Sequence, residues 1–247
     1  MSTGGNGMKR RITLAINLLL GVAICIATYR YFHYSRYRIP GLSNLGMKGV
    51  TGGIFVLCCL LNVLFYPRGA RAAYRWVLLL GQILACSGDI GLGFDFVTGA
   101  LLFAAGHVGY YAAFCLLDRP RWRDLPLMAA VFLVSYLVVT SDGFRLGGRK
   151  MIVMFYAVVI SCMLGKALSL MFARQVPSAL RVNAAVGAVM FYVSDLMLAI
   201  NMFGGGGRVY GAWCLALYFP GEWVLALSAW MSAGTKKTEG RKRTVLS

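Results

Sequence analysis

Long apolar runs separated by short polar connections are the feature that most limits how this chain can fold. A helix needs about 20 apolar residues to cross a hydrocarbon core of about 30 Å, and the sequence contains a series of such runs. They lie roughly at 12–29, 46–65, 74–93, 96–117, 125–140, 149–173, 180–203 and 210–231. Because backbone polar groups must be paired in lipid, each run is expected to be helical. We therefore predict an all-α, polytopic membrane helix bundle with eight transmembrane helices.

The composition excludes an ordinary water-soluble enzyme. Hydrophobic residues occupy 59% of the 247 positions and charged residues only 13%, whereas soluble domains carry about 25% charged residues. The predicted organisation is a basic N-terminal segment over 1–11, a membrane domain over 12–231 and a basic C-terminal tail over 232–247. We expect an integral, multi-pass protein, of the endoplasmic reticulum membrane if the source is eukaryotic and of the inner membrane if it is bacterial.

The net charge of +17, from 25 Lys and Arg against 8 Asp and Glu, is explained by orientation in a bilayer. Most of the basic residues fall at the N-terminus, in the connections between runs 2–3, 4–5 and 6–7, and in the tail. The positive-inside rule then predicts that the N- and C-termini are cytoplasmic. The cluster from Lys236 to Arg243 is also suited to attract anionic lipid. No nucleic-acid partner is expected, because no aromatic-basic platform accompanies the charge.

Cysteine and histidine spacing gives no sign of a metal centre. The seven cysteines lie inside apolar runs without a C-x-x-C pair, so we expect small core side chains rather than disulfides or a zinc site. The two histidines do not have the spacing of metal ligands. We predict no metal and no other cofactor, and the sequence leaves the oligomeric state open.

Ionisable residues inside membrane spans are costly, so each is a functional candidate. Asp89 and Asp195 each stand sixteenth in an outward-running span, which predicts that they lie at similar depth, in the half of the bilayer away from the cytoplasm. Lys166 falls near the inner end of the sixth run and is expected to extend toward the interface. The full set is Lys48, Asp89, His107, Lys166, Asp195 and Glu222.

Two buried carboxyl groups tend to divide their protonation states, so that one donates a proton while the other is ionised. That property fits catalysis and proton-coupled transport equally well. A purely structural network is the third interpretation, in which Asp89 pairs with Lys48 or accepts hydrogen bonds from Ser87, Tyr110 or Tyr192. Spacing alone does not choose among the three.

The two aspartate segments share an internal pattern. From Gly81 and from Gly187, an Asp follows after eight residues, a Leu three further on, and Asp95 or Asn201 three beyond that. The four-helix offset suggests a parallel repeat, which can place a site at the interface of its two halves.

Intramembrane aspartyl proteases also use two aspartates on separate helices, but their motifs are poorly met. Asp195 follows Ser194 rather than Tyr, Asp89 stands in C-S-G-D, and no Pro-Ala-Leu motif follows. We do not favour that class.

A more specific pattern surrounds the two aspartates. SGDIGLGFDFVTGALLFAAGHVGYYAAF (87–114) contains G-D and then F-x-x-G-x-x-x-F-x-x-x-H-x-x-Y, and GAVMFYVSDLMLAI (187–200) contains F-x-x-S-D. Over roughly 45–230 the chain resembles the YhhN family of eight-helix membrane proteins, whose characterised animal members are lysoplasmalogenases. Tyr156 is a weaker match on the sixth run. Two positions depart from the family: Gly49 replaces the usual Pro after Lys48, and Glu222 replaces a Gln.

The resemblance implies hydrolysis of the vinyl-ether bond of a lysoplasmalogen, an alkenyl glycerophosphocholine or glycerophosphoethanolamine, to a fatty aldehyde and a glycerophospho-base. This bond breaks when its β-carbon is protonated and water captures the resulting oxocarbenium ion, which needs an acid and a negative group. Asp89 and Asp195 are implied as the catalytic pair, with their individual roles unassigned. Candidate substrate-binding residues are Lys48, His107, Tyr110, Ser194, Tyr218 and Glu222, with Lys48 or Arg149 near the phosphate.

The implied partners are a lysophospholipid substrate and the surrounding membrane lipid. The alternative is a proton-coupled small-molecule or lipid transporter that uses the same buried carboxyl groups. A non-catalytic lipid-binding or scaffold member of the family is the third possibility.

Overall fold

The computed structural model describes residues 3–33 and 41–233, and within these ranges all regular structure is helical. This confirms the prediction of an all-α, eight-helix membrane bundle for the described residues. The α-helices are α1 (Thr3–Phe32), α2 (Asn44–Phe65), α3 (Ala72–Gly91), α4 (Phe96–Leu117), α5 (Asp124–Val139), α6 (Lys150–Ser169), α7 (Ser178–Phe203) and α8 (Gly207–Ala233). Short 3-10 turns, Gly147–Arg149 and Leu170–Phe172, lie at the two ends of α6. The basic cluster of the tail lies outside the described residues.

The N-terminal basic segment belongs to the first helix, since α1 begins at Thr3. The ammonium group of Lys9 lies 5.2 Å from the centroid of the Tyr66 ring, and the guanidinium of Arg10 lies 4.8 Å from that of Trp230. Cation–π contacts of this kind favour an ordered geometry. They attach the start of α1 to the ends of α2 and α8.

Six helices, α1, α2, α4, α6, α7 and α8, are long and apolar enough to cross a membrane. α5 is shorter, and its 16 residues span about 24 Å. α3 is more polar, and its buried polar side chains find partners on α8. Arg75 donates a hydrogen bond to Ser232 at 3.2 Å, and Gln82 donates to the backbone oxygen of Glu222 at 2.7 Å.

Glycines allow the central helices to approach closely, as at many membrane helix interfaces. A Cβ added at Gly81 of α3 would lie 3.2 Å from the carbonyl oxygen of Gly106 on α4. A Cβ added at Gly187 of α7 would lie 3.2 Å from the carbonyl oxygen of Gly221 on α8. The pairs α3–α4 and α7–α8 therefore each pack closely through the glycine that begins the internal sequence pattern.

The expectation that Lys166 extends toward the interface is wrong. Its side chain is fully buried and forms ion pairs with Asp124 at 2.8 Å and Asp118 at 3.8 Å. Because two carboxylates supply the opposite charge at the ends of α4 and α5, the ammonium group stays inside the protein.

Candidate active site

A cavity of about 710 Å³ lies at the end of the bundle where α1, α3 and α7 end and α2 and α8 begin. Asp89, near the end of α3, and Asp195, in the second half of α7, both line it. The fold thus brings the two aspartates to one common space. The complete lining is Tyr31, Phe32, His33, Lys48, Asp89, Leu92, Phe103, Ser194, Asp195, Leu198, Asn201, Arg208, Gly211, Ala212, Cys214, Leu215 and Tyr218.

Asp89 is paired with a cation. The ammonium nitrogen of Lys48 lies 2.7 Å from Oδ1 of Asp89 and also donates to its backbone oxygen at 2.9 Å. Oδ2 is buried and has no hydrogen-bond partner among the described residues. The other proposed partners, Ser87, Tyr110 and Tyr192, form hydrogen bonds elsewhere. Lys48 therefore supplies the counter-charge that a buried carboxylate requires.

Asp195 is held by a phenol and an imidazole instead. The hydroxyl of Tyr156 donates a hydrogen bond to Oδ2 of Asp195. Nε2 of His107 lies 2.7 Å from the same hydroxyl oxygen and 3.3 Å from Oδ2. Among the described residues no Lys or Arg pairs with Asp195. The two carboxyl groups thus share a cavity but differ in the charge of their partners.

Asp195 also borders two small apolar pockets of about 60 and 50 Å³. The larger one lies among α4, α6 and α7, and the smaller one among α5, α6 and α7. Tyr156 lines both pockets, so the Tyr156–Asp195 contact marks the boundary between polar and apolar space. A molecule with a polar head and an apolar chain fits such a boundary.

Glu222 belongs to a separate, fully buried cluster. The hydroxyl of Tyr110 lies 2.7 Å from both carboxyl oxygens of Glu222, and Gln82 donates to Oε2 at 3.1 Å. None of these three side chains lines the large cavity. Glu222 and Tyr110 therefore lie beside the candidate active site rather than in it.

The remaining predicted substrate contacts divide in the same way. Lys48, Ser194 and Tyr218 line the cavity, and the Tyr218 hydroxyl donates to the backbone oxygen of Ala85 at 3.2 Å. His107 lies behind Asp195 and reaches the cavity only through it. Arg149 lies outside the cavity, with its guanidinium 5.5 Å from the centroid of the Phe96 ring.

Sequence reasoning did not assign Tyr156, Asn201 or Arg208 to the site. Two of them had a sequence signal that could have identified them: Tyr156 matches the family pattern weakly, and Asn201 is the last position of the internal repeat. Arg208 follows four glycines and had no distinguishing pattern. It lines the cavity and forms no ion pair among the described residues.

Asp95, the counterpart of Asn201 in the repeat, has a structural contact instead. It caps the start of α4, where its Oδ2 accepts hydrogen bonds from the backbone nitrogen of Thr98 at 2.7 Å and from the Thr98 hydroxyl at 2.9 Å. Hydrogen bonds to the charged form lower the pKa of the Asp95 carboxyl below its ordinary value of 3.8.

The fold and the site together define the class: an integral, multi-pass membrane protein with two carboxyl groups on one cavity. The sequence model of the YhhN family matches residues 48–229, from Lys48 to the last turns of α8. The chain therefore belongs to the YhhN family. Lysoplasmalogenase is the known activity of this family, so the chain is a lysoplasmalogenase-like membrane protein. No curated protein and no solved structure matched the chain.

Proposed function

We propose that the protein is a membrane-embedded hydrolase that cleaves the vinyl-ether bond of lysoplasmalogens by acid–base chemistry at Asp89 and Asp195. One observation carries this proposal: two carboxyl groups with different partners line a single cavity that borders apolar pockets. Family membership supports the reaction class. Glycosidases form a similar oxocarbenium-like transition state and also use two carboxyl groups with different environments.

Asp195 acts as the general acid in this proposal. Its partners Tyr156 and His107 hold it without supplying a permanent positive charge, so its carboxyl group can carry the proton that the β-carbon must receive. After the transfer, the Tyr156 hydroxyl stabilises the carboxylate that remains. In the tautomer with its proton on Nε2, His107 donates to the Tyr156 oxygen and orients that hydroxyl.

Asp89 supplies the negative group. Its ion pair with Lys48 keeps a carboxylate in the cavity, where it stabilises the positive charge that develops on the substrate. The Asp89 carboxylate, which lines the cavity, accepts a proton from the water that attacks the carbon bonded to the ether oxygen. When the resulting hemiacetal breaks its bond to the glycerol oxygen, Asp89 returns its proton to that oxygen and the hemiacetal hydroxyl gives its proton to Asp195. These transfers release the aldehyde and the glycerophospho-base and restore both carboxyl groups to their starting states.

The amphipathic lining positions the substrate for this reaction. Arg208 at the cavity wall has no carboxylate partner among the described residues, and its guanidinium suits the phosphate of the head group. Lys48 contributes less to phosphate binding because Asp89 already occupies it. The alkenyl chain extends past Asp195 into the apolar pockets, which brings the vinyl-ether carbon next to the acid.

The experiment is mass spectrometry of purified protein incubated in detergent micelles with lysoplasmalogen, its alkyl-ether analogue and an acyl lysophospholipid. We expect fatty aldehyde from the vinyl ether alone, because only that bond yields an oxocarbenium ion on carbon protonation. Micelles hold no gradient, so a transporter gives no product. Absence of aldehyde from protein that remains folded would contradict the proposal and favour transport or non-catalytic lipid binding.

A further inference from the structure

A second cavity, of about 650 Å³, lies at the opposite end of the bundle. The connection between α4 and α5 forms one wall, and the residues that join α6 to α7 form the other. Arg181 on α7 belongs to this cavity and Asp195 to the first. Their separation of 14 positions along the helix corresponds to about 21 Å. The lining is Arg121, Arg123, Met171, Phe172, Arg174, Gln175 and Arg181.

The positive charge of this cavity is only partly neutralised. Asp118 pairs with Arg121 at 3.0 Å, and Asp124 pairs with Lys166 at 2.8 Å. These ion pairs occupy both nearby carboxylates. The other three arginines have no carboxylate partner among the described residues; they are Arg123, Arg174 and Arg181.

The frame that holds the arginines is fixed by hydrogen bonds to backbone oxygens and by one buried ion pair. The ammonium of Lys166 donates to the backbone oxygen of Arg119 at 3.2 Å as well as to Asp124, which holds the α4–α5 connection in place. Arg181 donates from Nη1 to the backbone oxygen of Met171 at 2.7 Å, while its buried Nε has no partner. These contacts preorganise the walls of the cavity.

Exposed apolar side chains place the cavity at the level of lipid head groups. Trp122 is 81% exposed and Phe172 is 66% exposed, and Trp is enriched where hydrocarbon meets water. Trp122 lies between Arg121 and Arg123 in the α4–α5 connection, and Phe172 lies two residues before Arg174. The Lys and Arg distribution predicts that this end of the bundle faces the cytoplasm.

We infer that this arginine cavity binds the phosphate of an anionic phospholipid. A guanidinium matches a phosphate with two parallel hydrogen bonds, and basic pockets between transmembrane helices on the cytoplasmic side suit anionic head groups. The bordering Met171 and Phe172 favour a lipid over free phosphate, because acyl chains lie against exposed apolar side chains. A zwitterionic head group fits less well, since its own ammonium group meets unpaired arginines.

The test is native mass spectrometry of the full chain in detergent with phosphatidylglycerol and phosphatidylcholine of the same acyl chains in equal amounts. We expect bound phosphatidylglycerol in clear excess. The double variant Arg123→Gln/Arg174→Gln should reduce that preference about 25-fold, given about fivefold for each basic residue near an anionic surface. Both residues are exposed, so the variant is expected to fold; if it does not, each single variant is measured and should lose about fivefold.

The matched control is Arg11→Gln/Arg68→Gln, which removes two exposed arginines from the same end of the bundle outside the cavity. It should keep the full lipid preference. An equal loss of lipid preference in the control would show that general surface charge, and not this cavity, causes the preference. An unchanged preference in Arg123→Gln/Arg174→Gln would rule out binding at this cavity. Thermal stabilisation by inorganic phosphate that phosphatidylglycerol does not increase would make the ligand a free phosphate and overturn the lipid assignment.

Discussion

The helix pairs α3–α4 and α7–α8 share a packing geometry but place their aspartates in different surroundings. Gly81 and Gly187 make equivalent close approaches to the next helix, and an Asp follows eight residues later in each pair at the same cavity. Asp89 meets the ammonium of Lys48, whereas Asp195 meets the hydroxyl of Tyr156. Two helix pairs that pack alike can thus place their carboxyl groups beside different partners, a cation in one case and a phenol in the other.

The largest stability effect should come from the ion pair. Lys48→Met leaves the Asp89 carboxylate buried without its cation, and we expect a loss of about 3 kcal/mol in the free energy of unfolding. Equilibrium unfolding in mixed micelles measures it. Adding Asp89→Asn to the Lys48→Met variant should restore most of the loss, while Lys150→Met, at an exposed lysine, should have little effect. An equal loss of unfolding free energy from Lys150→Met would show that the Lys48–Asp89 ion pair contributes no more to stability than an exposed lysine does.

The shared glycine packing should be the next most sensitive feature. A methyl group at Gly81 would lie 2.7 Å from the Tyr110 ring, and one at Gly187 would lie 2.7 Å from the Leu225 side chain. Each Gly→Ala variant should lose about 1–3 kcal/mol of unfolding free energy in the same titration. Gly53→Ala is the control, because nothing lies within 4 Å of its added Cβ. Loss at only one of the two positions would mean that the pairs do not pack alike.

Tyr156→Phe should separate activity from stability. It removes the hydroxyl that holds Asp195 and keeps the ring, so we expect aldehyde release to fall about tenfold while the free energy of unfolding falls by only about 1–2 kcal/mol. The rate of aldehyde formation in micelles provides the measurement. Tyr74→Phe is the control, because it also removes a buried hydroxyl, in this case one that is hydrogen-bonded to Ser228. It should leave the rate of aldehyde formation unchanged. Equal rates of aldehyde formation for Tyr156→Phe and the unmodified protein would show that the Tyr156 hydroxyl does not assist Asp195 in the reaction.

The smallest expected effect on stability comes from the hydrogen bonds with which Asp95 caps the start of α4. Asn201, its counterpart in the repeat, lines the cavity instead. Asp95→Ala should slightly lower the melting temperature at pH 7, and Asp95→Asn should not, since Asn also caps helices. Because the hydrogen bonds of Thr98 lower the Asp95 pKa, the stability that its charge adds is present above pH 4 and is lost as the pH falls through the folded-state pKa. The difference between Asp95→Ala and the unmodified protein should therefore shrink in acid. A difference that grows in acid would contradict this cap.

Much of the fold follows from hydropathy alone, because eight apolar runs leave few alternatives to eight helices. α3 is the limit of that reasoning: its polar Arg75 and Gln82 are tolerated because α8 and the α2–α3 connection supply hydrogen-bond partners. No local sequence pattern reveals those partners. The fate of Lys166 depended in the same way on carboxylates more than 40 residues away along the chain.

The candidate site was predictable in part for the same reason. Asp89 and Asp195 were identifiable because a charged residue inside a membrane span is rare. The resemblance to the YhhN family then implied that the two aspartates act as a pair. Their partners were not, since three residues had equal claims on Asp89 besides Lys48. Arg208 stands in a glycine-rich turn, and only the way α7 and α8 pack brings it to the cavity.

The most direct test of the account is aldehyde release from lysoplasmalogen by purified Asp89→Asn and Asp195→Asn proteins in detergent. Each variant should lose at least about a thousandfold in rate, while Asp142→Asn, at an exposed position outside the cavity, should keep the full rate. All three should elute as folded protein on size exclusion. Full activity in both Asp89→Asn and Asp195→Asn would contradict the claim that these two carboxyl groups perform the chemistry.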